Sequence, residues 1–354
     1  MTESPKQPRF VDARSANGKP IRVIEGRGAS LASLKDWIAR EREQIETEWL
    51  RHGALRFRGF DLLGAEDFEQ VALALEPDLK NDYLGTSPRN ARSQYVFTAS
   101  ELPPFFPIAQ HSEMSFLPSA PRKLFFHCTI APQKNGETPT VDWRAVWRDL
   151  PQEMREAFAT RGVRNIRNYD GPESPKGRDL WALKRWDELF STADTIQVER
   201  KAAEQGLRCE WLPQGRLRLI NDQAATRQHP VTGETAWFNH TQVFHVAAAA
   251  LEYACIRRYQ KNPRAIFYWA LARALTALKQ QIKPPLEQAM HVTHADGGEV
   301  DPRHVRILVD TIWKHLVIET WRQGDILAID NRSTGHGRLP FHGPREVLVA
   351  WTGT

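Results

Sequence analysis

The chain has 354 residues, 41% of them hydrophobic, and sets 48 Lys and Arg against 43 Asp and Glu for a formal net charge of +5. That is enough apolar residue for one large core or two modest ones, while charges of both signs in mixed order, without basic runs interleaved with aromatics, exclude an ordinary nucleic-acid binder. No apolar run is long enough to cross a bilayer, the N-terminus MTESPKQPRF lacks the apolar core of a signal peptide, and Cys128, Cys209 and Cys255 form no C-x-x-C pair, so a soluble protein of the reducing cytoplasm is expected.

Residues 1–29, rich in Pro, Gly, Arg and Ser, form an N-terminal arm with a short strand at Ile21–Ile24. Ser30 then caps a helix that carries Leu31, Leu34, Trp37, Ile38, Ile45 and Trp49 on one side and stops at His52-Gly53. Alternation in ALRFRGF predicts a strand, and DLLGAEDFEQVALALEP a helix after it. NDYLGTSPRN is a polar loop with turns fixed by Gly and Pro.

Next comes His111-Ser112-Glu113. On an extended strand, residues two apart face the same way, so His111 and Glu113 would offer an imidazole and a carboxylate to one metal ion. A nearly continuous apolar run, Leu124 to Ile130, predicts a strand buried on both sides, with His127 a core histidine rather than a ligand. KNGETPTVD turns into another strand, Asn135 tolerating the positive φ of that turn. DWRAVWRDLPQEMREAF is amphipathic and helical, residues 160–207 suggest short helices, and RCEWLPQGRLRLIND forms a hairpin around Pro213-Gln214-Gly215. Residues 246–283 are helical with a break at Asn262-Pro263. His291 and His294 have no third ligand near them in the sequence and sit beside a Gly-Gly turn, which argues for a loop. The end of the chain, HLVIETWRQGDILAIDNRSTGHGRLPFHGPREVLVAW, alternates strands with turns and places a third candidate ligand, His336. Two His and one carboxylate on one face of a ferrous ion, the other face open, are the ligand set of non-heme iron oxygenases.

Five segments in order, GTSPR (85–89), HSEMSF (111–116), GETPTVD (136–142), HPVTGETAWFN (229–239) and WRQGDILAIDNRSTGHGRLPFHGPREVLVAW (321–351), resemble the TauD/TfdA superfamily of Fe(II)- and 2-oxoglutarate-dependent oxygenases. The likeness extends to its syringomycin-type hydroxylase and clavaminate synthase-like branch. It implies a mainly β fold with helical additions and a double-stranded β-helix (jelly-roll) core over residues 30–354 as a single domain; at about 246–290 the chain departs from the family's shorter spacing, and a helical insert, a lid or an oligomer contact, is expected there. It implies iron on His111, Glu113 and His336, and 2-oxoglutarate near Thr138 with Arg345 on its distal carboxylate, Arg338 being the rival for that role. A planar guanidinium suits the work because it binds a carboxylate through two parallel hydrogen bonds. Tyr83 and Arg89 are candidate substrate contacts or merely turn residues; Asn239 is a polar contact or a structural cap.

The activity so implied consumes dioxygen and 2-oxoglutarate, and hydroxylates an unactivated C–H bond of an amino acid or a derived small molecule in secondary metabolism. Related halogenases lack the carboxylate that Glu113 supplies here. Desaturation, cyclisation or epoxidation by the same centre, or a catalytically silent small-molecule-binding barrel, are the alternatives. Most of the charges read as a solvated surface; the basic excess would otherwise favour an anionic substrate or an acidic carrier protein. No nucleic acid or membrane is expected as a partner, and the oligomeric state is open.

Overall fold

A computed structural model describes residues 7–81, 89–174 and 183–354. Tyr83 and most of GTSPR lie outside the described residues. An eight-stranded mixed sheet runs in the order Arg9–Arg14, Pro20–Ser30, Ala54–Asp61, Ile326–Asp330, Lys123–Ile130, Glu346–Thr352, Leu79–Lys80, with Phe97–Thr98 also on Glu346–Thr352. Its neighbours are antiparallel except Pro20–Ser30 with Ala54–Asp61.

Three further elements of this fold matter for the site. Ile108–His111, Thr334–Arg338 and Thr140–Asp142 form a three-stranded sheet with Thr334–Arg338 in the middle. Arg208–Leu212, Arg216–Gln223, Val163–Tyr169 and Met290–Thr293 form a four-stranded antiparallel sheet in that order. Helices Ala248–Gln260, Pro263–Ile282 and Pro302–His315 lie on its side of the molecule, and Asn262 caps the second of them.

The expected jelly-roll core is not what the chain forms. Among the described residues the strands fall into separate sheets of eight, four, three, two and two, none closed on itself, alongside eleven α-helices; the fold is mixed α/β. The physical reason lies in strand length. The strands around His336 have four, five and three residues, reach beyond one another only through an isolated bridge from Thr140 to Val317, and shift register between His336 and Arg338, so no continuous ladder rolls up.

Many local expectations hold. Ser30 accepts from the Ser33 N–H to start a helix, which the structure divides into Leu31–Arg40 and Arg42–His52 before the left-handed Gly53 ends it. Asn135 has φ 58°. The hairpin pairs Leu212 with Arg216. Lys123–Ile130 is covered on both faces: Phe125 packs with Trp49 and the N-terminal helices, whereas Leu124, Phe126 and Cys128 pack with Leu327, Val349 and Trp321 on the other side. That second face matters, because Phe126 lies 4.9 Å from the His336 ring, centroid to centroid. The major sheet thus supplies the apolar wall behind a metal ligand.

Candidate metal centre

Pairing brings His111 and His336 together. They are directly opposed in the antiparallel pair of Ile108–His111 with Thr334–Arg338, and their ring centroids are 4.5 Å apart. Glycine is required on either side of His336: a Cβ at Gly335 would collide with the Trp143 ring, and one at Gly337 with the Gln110 side chain. Close backbone approach here is what seats the imidazole.

Glu113 arrives differently from the sequence expectation. The strand ends at His111, and a turn, with Met114 at φ 52°, aims the carboxylate. Asn331 fixes that turn: its Oδ1 accepts from the Glu113 N–H at 2.7 Å, and its Nδ2 donates to the Glu113 and Pro121 carbonyls at 3.0 and 2.8 Å. Ser112 accepts from Trp143 Nε1 at 2.8 Å.

One ligand atom from each of His111, Glu113 and His336 lies within 4.8 Å of the others. The donors suit a divalent transition metal. His111 Nδ1 lies 2.9 Å from the Ala109 carbonyl, an acceptor, so that nitrogen carries the proton and Nε2 keeps its lone pair. Burial, reinforced by His111, Arg89 and His240, holds the His336 imidazole well below its usual pKa and therefore neutral. Glu113 Oε2 lies 3.8 Å from His336 Nε2 and accepts from Arg89 Nη2 at 2.8 Å. Arg89 thus meets the ligand carboxylate, and its guanidinium lies 5.4 Å from the Trp351 ring centre.

Beside this set, Thr138 and Arg345 are joined. Arg345 Nη2 donates to Thr138 Oγ1 at 3.1 Å and Nε to the Gly136 carbonyl at 2.8 Å, while Trp321 Nε1 also donates to Thr138 Oγ1. Thr140, two residues on, pairs with His336, which places this turn next to the ligands. Desolvation, with Arg338 adding to it, pushes the Arg345 guanidinium down to about 9. Among the described residues no carboxylate forms an ion pair with it. Arg338 is committed elsewhere, donating to the carbonyls of Leu102, Pro103 and Phe106 at 3.0, 2.9 and 2.7 Å.

Asn239 accepts from the Thr241 N–H and hydroxyl and donates to the Ala225 carbonyl, the bonding of a structural cap. His127 is a core residue stacked on Phe68. His291 sits in a strand rather than a loop and meets Glu299, and His294 meets the Gly162 carbonyl.

The sequence reading missed three residues near the centre. Asn331 stood inside a quoted motif, but nothing in its type marked it as a clamp. His240 is buried, its ring centroid 5.6 Å from that of His111, its Nδ1 2.7 Å from Ser115 Oγ. Arg167, with its guanidinium 4.3 Å from the centre of the Phe116 ring, lies in a stretch expected to be helical that is in fact the strand Val163–Tyr169.

The family model described as "Taurine catabolism dioxygenase TauD, TfdA family" matches residues 17–351. The chain belongs to the TauD/TfdA family. Its 2-His-1-carboxylate triad is the one typical of Fe(II)/2-oxoglutarate oxygenases. The chain is 31% identical to the dapdiamide synthesis protein DdaC of Enterobacter agglomerans over 94% of this chain and 92% of that one. It is 29% identical to a clavaminate synthase-like protein of Arabidopsis thaliana over 91% and 88%. The fold is shared with the crystal structure of AAD-2 in complex with Mn(II) and N-oxalylglycine, at a TM-score of 0.52 and 14% identity, covering 98% of this chain and 97% of that one.

Proposed function

We propose that this TauD/TfdA-family protein is an Fe(II)- and 2-oxoglutarate-dependent hydroxylase acting on an amino acid or an amino-acid-derived small molecule. His111, Glu113 and His336 hold the iron, and Arg345 with Thr138 seats 2-oxoglutarate. The observation that carries this reading is the joint presence of a three-donor set on one side and, on the other, a partly buried guanidinium that no carboxylate among the described residues pairs with.

Bound iron with 2-oxoglutarate and dioxygen supplies the oxidising power; the chain supplies placement. Arg345 offers a fork for the distal carboxylate, Thr138 fixes that fork, and Trp321 and Phe126 form the apolar wall that keeps water away. Asn331 holds the Glu113 turn so that the carboxylate meets both imidazoles from one side.

The relative named for dapdiamide synthesis and the one named clavaminate synthase-like support a biosynthetic setting within the clavaminate synthase-like and syringomycin-type branch. An acidic carrier protein presenting the substrate fits the net charge of +5. Three unpaired cysteines agree with a cytoplasmic location, and among the described residues no helix is long and apolar enough to cross a membrane.

Anaerobic addition of Fe(II) and then 2-oxoglutarate tests the assignment. A metal-to-ligand charge-transfer absorption is expected in the native protein, and Arg345→Met should need a higher 2-oxoglutarate concentration to reach it. Iron binding without that absorption would refute the co-substrate.

A further inference from the structure

One face of the four-stranded sheet carries polar groups that the fold leaves incomplete. On Val163–Tyr169, Asn165, Arg167 and Tyr169 are two apart and share a face; the register puts Asn221 opposite Asn165, and Leu219 and Met290 opposite Arg167. Asn165 is 0% exposed and Arg167 2% exposed. Among the described residues neither amide atom of Asn165 has a hydrogen-bond partner, nor do Nε and Nη2 of Arg167 or Oδ1 of Asn221. Arg167 Nη1 donates to the Tyr169 hydroxyl, and among the described residues no carboxylate is paired with this guanidinium. Buried polar groups are nearly always satisfied, and a buried charge is held against its desolvation cost only by a partner.

This face is close to the metal ligands. Arg167 lies 4.3 Å from the Phe116 ring centre, Phe116 lies 4.9 Å from the His240 ring, and His240 lies 5.6 Å from the His111 ring. Asn221 joins the same assembly through Gln223, which donates to the Ser115 and Phe238 carbonyls.

We infer that Arg167, flanked by Asn165 and Asn221, is a second anion seat, and that it takes a carboxylate carried by the substrate itself. Arg345 and Arg167 then divide the work: one holds the co-substrate, the other anchors the molecule to be oxidised. The guanidinium offers Nε and Nη2 side by side, the edge that grips a carboxylate through two parallel bonds. Asn165 and Asn221 add an amide donor and two carbonyl acceptors for polar groups beside that carboxylate, such as an amine or amide. The substrate class is thus a carboxylic acid with adjacent hydrogen-bonding groups; this rests on the oxygenase reading for what happens to it, but not for where its carboxylate binds.

Acetate, with acetamide as its neutral control, probes the seat in full-length protein saturated with Mn(II) and 2-oxoglutarate, so that Arg345 is already taken. Thermal stability is the readout, repeated with Mn(II) alone. Acetate should raise the melting temperature of the native protein more than acetamide does. In Arg167→Met its half-effective concentration should rise about tenfold or more, the loss of a charge-assisted contact, while the increment due to 2-oxoglutarate stays. Arg167→Gln and Asn165→Ala carry the same readout should Arg167→Met fail to fold. No excess acetate response in the native protein, or an equal one in the variants, would overturn the inference. Absence of the iron–2-oxoglutarate absorption beside an Arg167-dependent acetate response would instead sink the oxygenase reading alone.

Discussion

The eight-stranded and four-stranded sheets both bury arginines, and they treat them in opposite ways. In the first, Arg56 and Arg58 converge on Asp325, which is 1% exposed: Arg56 Nη1 donates at 3.2 Å, Arg58 Nη2 at 2.7 Å and Nε at 3.0 Å, and the Arg322 N–H completes the set at 3.0 Å. Arg56 is also stacked over Trp321. In the second, Arg167 meets a phenol and an aromatic face and, among the described residues, no carboxylate. A satisfied network stabilises a fold, whereas an incomplete one costs stability that only a ligand recovers. Completeness of bonding therefore separates the Asp325 network, which serves architecture, from Arg167, and among the metal ligands His336, whose Nδ1 has no partner among the described residues, falls on the second side.

Two substitutions would break that division if it is wrong. Glu113→Ala should reduce 2-oxoglutarate-dependent oxygen consumption to background while the cooperative thermal transition persists; retained turnover would remove Glu113 from the ligand set. Asp325→Ala should do the reverse. It strands two buried or half-buried guanidinium groups, and a loss of about 3–5 kcal/mol is expected in denaturant unfolding. A variant that unfolds like the native protein would show the network to be dispensable.

The same division explains what could be seen in the sequence. The ligands were legible because their chemistry resides in residue type: His-x-Glu, and a His between two glycines. How Glu113 reaches the metal was not, since the strand stops at His111 and the orientation comes from Asn331, 218 positions away. Helix limits at Ser30, Gly53 and Asn262 were legible from capping chemistry. Sheet closure was not, because it depends on long-range pairing that strand-forming residues do not encode one by one. Arg167 escaped for a related reason. Six of the seven residues in VRNIRNY are buried, Val163 and then Asn165 to Tyr169 without a break, yet four of the seven are Arg or Asn in adjacent pairs, so the strand shows no alternation of polar and apolar positions to betray it.

Glu252 sharpens the comparison, because it is buried and incompletely bonded yet lies among the helices packed on the four-stranded sheet. Its Oε2 accepts from Trp313 Nε1 at 2.9 Å, Oε1 has no partner among the described residues, and burial pushes its carboxyl up to about 7 from an ordinary 4.5. Between those two values the folded chain binds more protons here than the unfolded chain. Stability therefore falls as pH rises through this window and is level above it, by up to about 3 kcal/mol for a shift of this size. Glu252→Gln keeps an acceptor for Trp313 and removes the charge. Denaturant unfolding of the two proteins should coincide near the acid end of the window and separate toward neutral pH, with the glutamine variant the more stable. If the native protein shows the same slope as the variant between those limits, the carboxyl is ionised without cost in the fold, and incomplete bonding at Oε1 would no longer mark strain away from a ligand site.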